Sequence, residues 1–553
     1  MQISYDDDPK CITGVVQASM RNKSYVVEVD DRLQLTPAEF FSRAKRYAVG
    51  FKACGVKPGD RIGVHLDNSV DNLAAIFGLV FAGVTLILAE SSLTERDLQY
   101  HIAAGDASRI LTDPKNEPKA IRVKKLLDLK DVFVMGATAD GINASEFESV
   151  DEKSFEELPV PDPKATVVAL AFAVDTTGPP KAVEITHYSF VANFYTSRTS
   201  ISDDEEDVIL ASHPIAHMAG FLFTLVAALI GKTCVLSSPS LPFDKLVRVI
   251  DEYKVALLPS SPAMLQYIAN EMKRTGIQLN SVRKINVGGG VPTEALVATL
   301  KAVFKELRCI SSVYAPAEAC GIVCLAKDVS AGPVSMGCPN AMVELKIIDV
   351  ATGEKLGPNE AGELCYRIPS VMKGYYKDPE KTAQVMDAEG WCRSGDMARY
   401  DADGRVHFIE RLHEVISCMG ERILPAELEE LLLKQHDGIA EVAVAGLPHR
   451  KYGEAATAFV VLKQSHKPPG KICEEDIERT ISEAESVNSR SQCEDLHGLL
   501  PTVQLVQQHT GAARRMKSQA NVVQPHRHDQ ANATRPSVQR GAVRCAPDEC
   551  DMR

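Results

Sequence analysis

An apolar stretch, Leu170-Ala171-Phe172-Ala173, runs into Val174-Asp175-Thr176-Thr177-Gly178-Pro179-Pro180-Lys181-Ala182-Val183, and this order of residue types suits an anion. Gly178 lets backbone N–H groups approach a negative charge, the Thr176 and Thr177 hydroxyls add donors, and Lys181 supplies a point charge at the rim. The stretch is not a Walker A loop, because no Gly-Lys-Ser or Gly-Lys-Thr triplet opens the next helix. Phosphate binding is the first chemistry expected of the chain.

Other stretches carry residue types that could bind a ligand. Lys284-Ile285-Asn286-Val287 reads as a strand, and Gly288-Gly289-Gly290 after it is a bare backbone turn against which a planar ligand could lie. Val313-Tyr314-Ala315-Pro316-Ala317-Glu318 ends another strand with an aromatic ring and a carboxylate. Gly390-Trp391-Cys392-Arg393-Ser394-Gly395-Asp396 and the later Arg411 add a two-oxygen acceptor and a forked donor. His217 lies in the apolar run His213 to Phe221. Each also fits a plain structural part, as a core histidine, a strand-end aromatic or a surface acid.

Elements that would position them are legible. Thr36-Pro37-Ala38-Glu39 is a capping box with proline at the first helical position, and apolar residues at helical spacing follow until Gly55. Arg61 to Leu66 reads as a buried strand. Alternation then continues through Asp71 to Phe81, Val84 to Leu88, Thr94 to Ala103 and Ser108 to Thr112, the rhythm of a doubly wound α/β sheet. Later, Pro425 to Leu433 reads as an amphipathic helix, Ile439 to Ala445 and Ala456 to Leu462 as strands, and Glu474 to Glu485 as a helix. From about Ser486 no apolar period is sustained, and the tail 486–553 is expected to be disordered.

The 553 residues exceed one compact core, so two or three domains are expected. A net charge of −13 argues against a nucleic-acid surface. The 14 cysteines form no Cys-x-x-Cys and read as buried free thiols of a reducing compartment. The apolar runs Leu73 to Ala89 and Ala219 to Ile230 read as buried helix and strand rather than as membrane spans. Asp6-Asp7-Asp8 speaks against a signal peptide, and Asp551-Met552-Arg553 is no Ser-Lys-Leu peroxisomal address, so a cytoplasmic location is expected. The acidic run Asp203 to Asp207 reads as a solvated turn.

Residues 172–183 resemble the phosphate loop of the AMP-forming adenylating enzymes, the superfamily of acyl-CoA synthetases, 4-coumarate-CoA ligases and beetle luciferases, whose usual form is Tyr-Ser/Thr-Ser-Gly-Thr-Thr-Gly-x-Pro-Lys-Gly-Val. The resemblance is longest from Gly332 to Glu430, through Gly362-Glu363-Leu364-Cys365, Val371-Met372-Lys373-Gly374-Tyr375-Tyr376, Gly390 to Asp396, Asp401-Ala402-Asp403-Gly404, Arg411 and Pro425-Ala426-Glu427-Leu428-Glu429. It implies an α/β fold with a large multi-sheet amino-terminal domain, of doubly wound sheets plus a small β-subdomain, over 1–410. A small α+β carboxy-terminal domain would follow over 411–485, joined by a hinge at Arg411-Leu412-His413.

The implied activity is a ligase that activates a fatty or aryl carboxylic acid with ATP to an acyl-adenylate and passes it to CoA. The resemblance places Lys181, Thr176, Thr177 and Gly178 on phosphate, Glu318 and Thr177 on Mg2+, Tyr314 on adenine, and Gly288, Gly289 and Gly290 beside adenine and the acyl group. It places Asp396 and Arg411 on the ribose and His217 at the acyl group. Three positions and the tail depart from the family pattern in ways that bear on nucleotide binding. Val174 and Asp175 replace serine and glycine, Ala317 replaces a threonine that bonds the AMP phosphate, and the tail lacks the usual Pro-x-x-x-Gly-Lys motif. A carboxylate about 4 Å from a phosphate charge costs roughly 4 kcal/mol at an effective dielectric near 20. These departures keep a second reading open, a non-catalytic acyl- or nucleotide-binding protein of the same fold.

Overall fold

The computed structural model describes residues 26–28, 33–173, 179–198, 200, 208–239, 241–329, 335–418, 421–436, 438–449, 453–463 and 502–505. The chain divides into two compact units, Met1–Val415 and Ile416–Arg553.

The first unit is built on two largely parallel sheets. Among the described residues the seven-stranded sheet runs in the order Ile142–Asn143, Asp131–Val134, Arg109–Thr112, Arg61–His65, Thr85–Leu88, Val167–Ala173, Lys181–Thr186, with only the last pair antiparallel. The nine-stranded sheet runs Cys338–Pro339, Cys324–Ala326, Cys309–Tyr314, Lys284–Val287, Leu257–Ser260, Val208–Ala211, Thr233–Leu236, Val26–Glu28, Gln34–Leu35, parallel in its centre and antiparallel at both edges. A smaller antiparallel sheet of Glu344–Ile348, Gly362–Arg367, Cys392–Tyr400 and Val406–Arg411 has its own core around Tyr366, Leu364 and Ala398.

One apolar cluster joins the two large sheets. It takes Ile62, Val64 and Leu86 from one, Ile209, Cys234 and Leu257 from the other, and Leu73, Phe77, Phe190 and Phe221 from helices between them. Every residue of helix Val70–Phe81 except Asp71 is buried, as expected of a helix covered on all sides. Its Phe77 ring stacks at 5.9 Å on Phe221 of helix Met218–Leu229. Helix Pro37–Ala53 starts at the expected box, with the Thr36 amide donating to Glu39 Oε2 at 2.8 Å and the Glu39 amide to Thr36 Oγ1 at 3.2 Å. It packs on the central layer at Gly78, where a Cβ would stand 2.5 Å from Tyr47 Cβ. The apolar runs at 73–89 and 219–230 are therefore interior elements, and no helix of the described residues is long and apolar enough to cross a membrane.

The second unit pairs Ile439–His449 with Gly453–Leu462 along ten positions, covered by helix Pro425–Gln435 through Leu428 and Leu432. Within the tail expected to be disordered, residues 502–505 are described and are ordered. Thr502–Leu505 forms a parallel strand on Gly453–Leu462, Thr502 opposite Thr457 and Leu505 opposite Val460. Four residues need no apolar period of their own when a longer strand offers them an edge of unpaired backbone groups. The helix read at Glu474 to Glu485 and the acidic run at Asp203 to Asp207 lie outside the described residues.

His187 opens helix His187–Ser197 in the interior of the first unit, with a buried Nδ1 that has no hydrogen-bond partner among the described residues. Desolvation pushes its pKa from 6.5 down to about 4. Below pH 6.5 the unfolded chain takes up a proton that the folded ring refuses, so this group removes stability as pH falls toward 4, by about 3 kcal/mol in all. Urea midpoints measured from pH 7 to 4.5 are expected to fall less steeply in His187→Leu than in the parent protein. Identical slopes would contradict this burial.

Candidate active site

Candidate residues gather around the carboxyl ends of the parallel strands Lys284–Val287 and Cys309–Tyr314, the usual place for ligands in open α/β sheets. Asp396 is the most enclosed of them, 1 % exposed on strand Cys392–Tyr400. Pairing with Gly362–Arg367 slips register between Glu363 and Cys365, and Gly395 takes φ +70° to complete the bulge. Glu363, itself buried, accepts the Gly395 amide at 3.2 Å and Arg393 Nε at 2.8 Å. Ser394 Oγ donates to the Leu364 carbonyl at 2.7 Å and accepts the Asp396 amide at 3.0 Å. The bulge aims the Asp396 carboxylate at the end of a neighbouring strand.

There Tyr314 donates its hydroxyl to Asp396 Oδ2 at 2.5 Å, while Arg411, opposite Asp396 in the ladder, brings Nε to 3.0 Å from Oδ1. The Arg411 approach is an ion pair whose N–H is not aligned as a hydrogen bond, so buried Oδ1 has no hydrogen-bond donor among the described residues. Burial pushes the Asp396 carboxyl above its ordinary 3.8, and Arg411 and the Tyr314 hydroxyl pull it back. Tyr314 is driven well above 10.0 by burial first and by Asp396 next, so its hydroxyl remains a donor.

Glu318 follows on the turn Ala317–Ala319. Its Oε1 accepts the Tyr375 hydroxyl at 2.7 Å, and Lys181 Nζ stands 5.5 Å from the centre of the same ring. Backbone bonds hold this arrangement: Met372 N to Glu318 O at 2.8 Å, Lys373 N to Glu184 O at 3.0 Å and Tyr376 N to Ala182 O at 2.8 Å. The segment 372–376 thus lies along strand Lys181–Thr186 and gathers Lys181, Tyr375 and Glu318, which the short link 314–318 joins to Tyr314, Asp396 and Arg411. Sequence reasoning placed Tyr375 inside a motif and gave it no task. Its partner is 57 positions away, and the hydroxyl's position beside a carboxylate was the missing information.

Strand Lys284–Val287 pairs in parallel with Cys309–Tyr314, Val287 opposite Ser312, which sets the glycine turn beside the strand end that carries Tyr314. Gly289 has φ +72°, and a Cβ at Gly288 or Gly289 would meet nothing within 4 Å. The turn is an open, flat surface. Thr176, Thr177 and Gly178, with Val174 and Asp175, lie outside the described residues. Their flanks are held by helix Glu95–Ala104, where His101 stacks on Phe172 at 3.9 Å and the Tyr100 hydroxyl donates to Pro180 O at 2.9 Å.

The described contacts do not link His217 to the Asp396 cluster. It caps helix Met218–Leu229, its Nδ1 accepting the Ala219 amide at 3.2 Å, and its Nε2 lies 3.9 Å from Glu90 Oε1. No group of three or more metal-ligating side chains occurs among the described residues.

Comparison with known proteins places the chain in a family. The family model described as AMP-binding enzyme matches residues 16–376, and that described as AMP-binding enzyme C-terminal domain matches 427–490. A 4-coumarate–CoA ligase of Vanilla planifolia is 29% identical over 489 residues, 85% of this chain and 86% of its own. A long-chain-fatty-acid–CoA ligase of Bacillus subtilis is 28% identical over 470 residues, 78% of this chain and 82% of its own. Among solved structures, ATP-bound MatB from Rhodopseudomonas palustris superposes with a TM-score of 0.77 at 20% identity, over 92% of this chain and 99% of that one, and so shares the fold. With one family model running from the amino-terminal region through the Tyr375 segment and a second covering the start of the smaller unit, the chain belongs to the AMP-binding enzyme family.

Proposed function

We propose that this protein is an AMP-forming acid–CoA ligase. The observation that carries the reading is the buried Asp396 carboxylate, whose Oδ2 accepts the Tyr314 hydroxyl while its Oδ1, paired in charge with Arg411, has no aligned hydrogen-bond donor among the described residues. Buried acceptors are almost always satisfied in native proteins, and a ribose hydroxyl would supply the missing donor. The relatives named 4-coumarate–CoA ligase and long-chain-fatty-acid–CoA ligase support the reaction class.

In this reading the substrate carboxylate attacks the α-phosphorus of ATP. The bond to the bridging oxygen breaks, pyrophosphate leaves, and an acyl-adenylate remains. The CoA sulfur then attacks the acyl carbon and AMP departs. The protein's own part is to position and to stabilise charge. Asp396 and Arg411 hold the ribose, the Tyr314 ring lies on adenine while its hydroxyl stays on Asp396, and the open face at Gly288 to Gly290 admits the planar base. Lys181, with Thr176, Thr177 and Gly178, receives the departing pyrophosphate, and His217 faces the acyl group. Mg2+ would be held by Glu318 and Thr177 and would neutralise phosphate charge. A lone carboxylate fits that ion, which takes most of its remaining ligands from phosphate and water.

The test is pyrophosphate release with ATP, CoA and a panel of fatty and aryl acids. Turnover with at least one acid is expected. ATP binding without pyrophosphate from any of them would turn the assignment to a non-catalytic nucleotide binder.

A further inference from the structure

Asn68 lies in the loop after strand Arg61–His65 of the seven-stranded sheet, and its side chain reaches the nine-stranded one. Its Nδ2 donates to the carbonyls of His213 and Ser237, each at 2.9 Å, and its Oδ1 accepts the Ile215 amide at 2.9 Å. These partners are 145 to 169 positions away. Two of them, His213 and Ile215, belong to the turn that ends in His217, which is closed by the His217 amide donating to Pro214 O at 3.0 Å. That turn lies so tightly on the following helix that a Cβ at Gly220 would stand 1.9 Å from the Pro214 carbonyl.

The neighbouring Asp67 holds the other half of the pair. Its carboxylate accepts the Ser91 hydroxyl, next to Glu90, and pairs with Lys115. Its amide donates to Asp113 Oδ2 at 2.6 Å, and its carbonyl accepts Asn72 Nδ2 at 3.0 Å. The dipeptide therefore fixes the His217 turn through Asn68 and the Glu90 turn through Asp67, and His217 and Glu90 face each other across 3.9 Å.

We propose that Asn68 is a positioning residue, which sets the His217 ring against Glu90 and so shapes the side of the cleft that receives the carboxylic acid. The effect on the acid rests on the ligase reading above. The placement of His217 does not. Half-buried between the sheets, Asn68 satisfies donor and acceptor at once, and a side chain without that pair of groups leaves the turn free to move relative to Glu90.

In steady-state pyrophosphate release, Asn68→Ala is expected to raise KM for the acid roughly tenfold, with the ATP KM within about twofold of the parent. In the His217→Ala background the same change is expected to have little further effect, because the two substitutions then remove one interaction. Equal rises in both KM values, or effects that simply add to His217→Ala, would overturn the proposal. Asn68→Asp, which keeps the size and the acceptor for Ile215, repeats the test if the alanine variant folds poorly. A readout free of turnover uses protein labelled with 13C in the histidine rings. The His217 resonance, assigned through its loss in His217→Ala, is expected to shift in the Asn68 variants, and an unmoved resonance rejects the idea. If the parent protein turns over no acid, the ligase reading fails, and the ring resonance still decides the role of Asn68.

Discussion

Asp396→Asn is expected to lower kcat/KM for ATP by roughly two orders of magnitude while leaving the folded protein no less stable at pH 7. The functional half follows from charge. Asparagine keeps the shape but offers one neutral acceptor where the carboxylate offers two charged oxygens, and a hydrogen bond to a charged group contributes about 1.5–3 kcal/mol. With Tyr314 already on Oδ2, the loss falls on Oδ1, which Arg411 approaches as an ion pair and which has no hydrogen-bond donor among the described residues. The stability half follows from burial. Because the carboxyl pKa is raised above 3.8, the folded state binds its proton more strongly than the unfolded chain does. Ionised Asp396 therefore detracts from stability as pH rises through the window above 3.8, and a neutral amide is spared that loss. Tyr314 can still donate to the amide oxygen, and Arg411 is half-exposed, so water takes over its charge. ATP kinetics together with urea unfolding at pH 7 check both halves. Parent-like ATP kinetics would remove Asp396 from the nucleotide site, and a large fall in the urea midpoint would mark it as a structural ion pair.

This pairing of lost function with retained stability separates residues kept for a ligand from residues kept for the fold. Glu363 and Ser394 serve the fold of the bulge, since every bond they make to it is internal. Asp396 is the group that the bulge turns toward Tyr314.

What the sequence made legible was set by the reach of each interaction. The helix at Pro37–Ala53 could be read because its start is fixed by atoms three positions apart, Thr36 and Glu39. The central helices could be read because continuous apolar runs broken by glycine have few other homes in a chain of this composition. Lys181, Glu318, Tyr314, Asp396 and Arg411 stood out as residue types in motif order, and the structure brings them together through contacts between distant positions, Tyr314 with Asp396 and Lys181 with Tyr375. The reasons for that proximity were not readable. Tyr375 bridges Glu318 and Lys181 by a hydroxyl and a ring face, properties any strand tyrosine has. Asn68 resembles any loop asparagine until its partners on the other sheet are known. Thr502–Leu505 failed the test of apolar periodicity because its order comes from backbone pairing with Gly453–Leu462. His217 shows the opposite case, a residue singled out by type whose contacts lead to Glu90 rather than to the Asp396 cluster.

Lys181→Ala is expected to cut acid-dependent pyrophosphate release by about two to three orders of magnitude while sparing the second half of the reaction. Charge builds on the departing pyrophosphate only while the α-phosphorus changes partners, and a fixed cation at that place contributes on the order of 3–4 kcal/mol. Lys181 is suited to the task by its surroundings. It starts a strand whose first residue pairs with Ala173, the last described position before the loop, and its ammonium group stands by the Tyr375 ring while the hydroxyl of that ring is committed to Glu318. Removing the side chain leaves the Tyr375–Glu318 bond intact, so a loss of activity would not arise from a displaced Glu318. Thioester formation from a supplied acyl-adenylate and CoA involves no pyrophosphate, and its rate in Lys181→Ala should stay within about threefold of the parent. Lys181→Arg, which keeps the charge on a bulkier fork, should recover part of the first step. Comparable losses in both half-reactions would place Lys181 away from the leaving group and leave its interaction with Tyr375 as its main role.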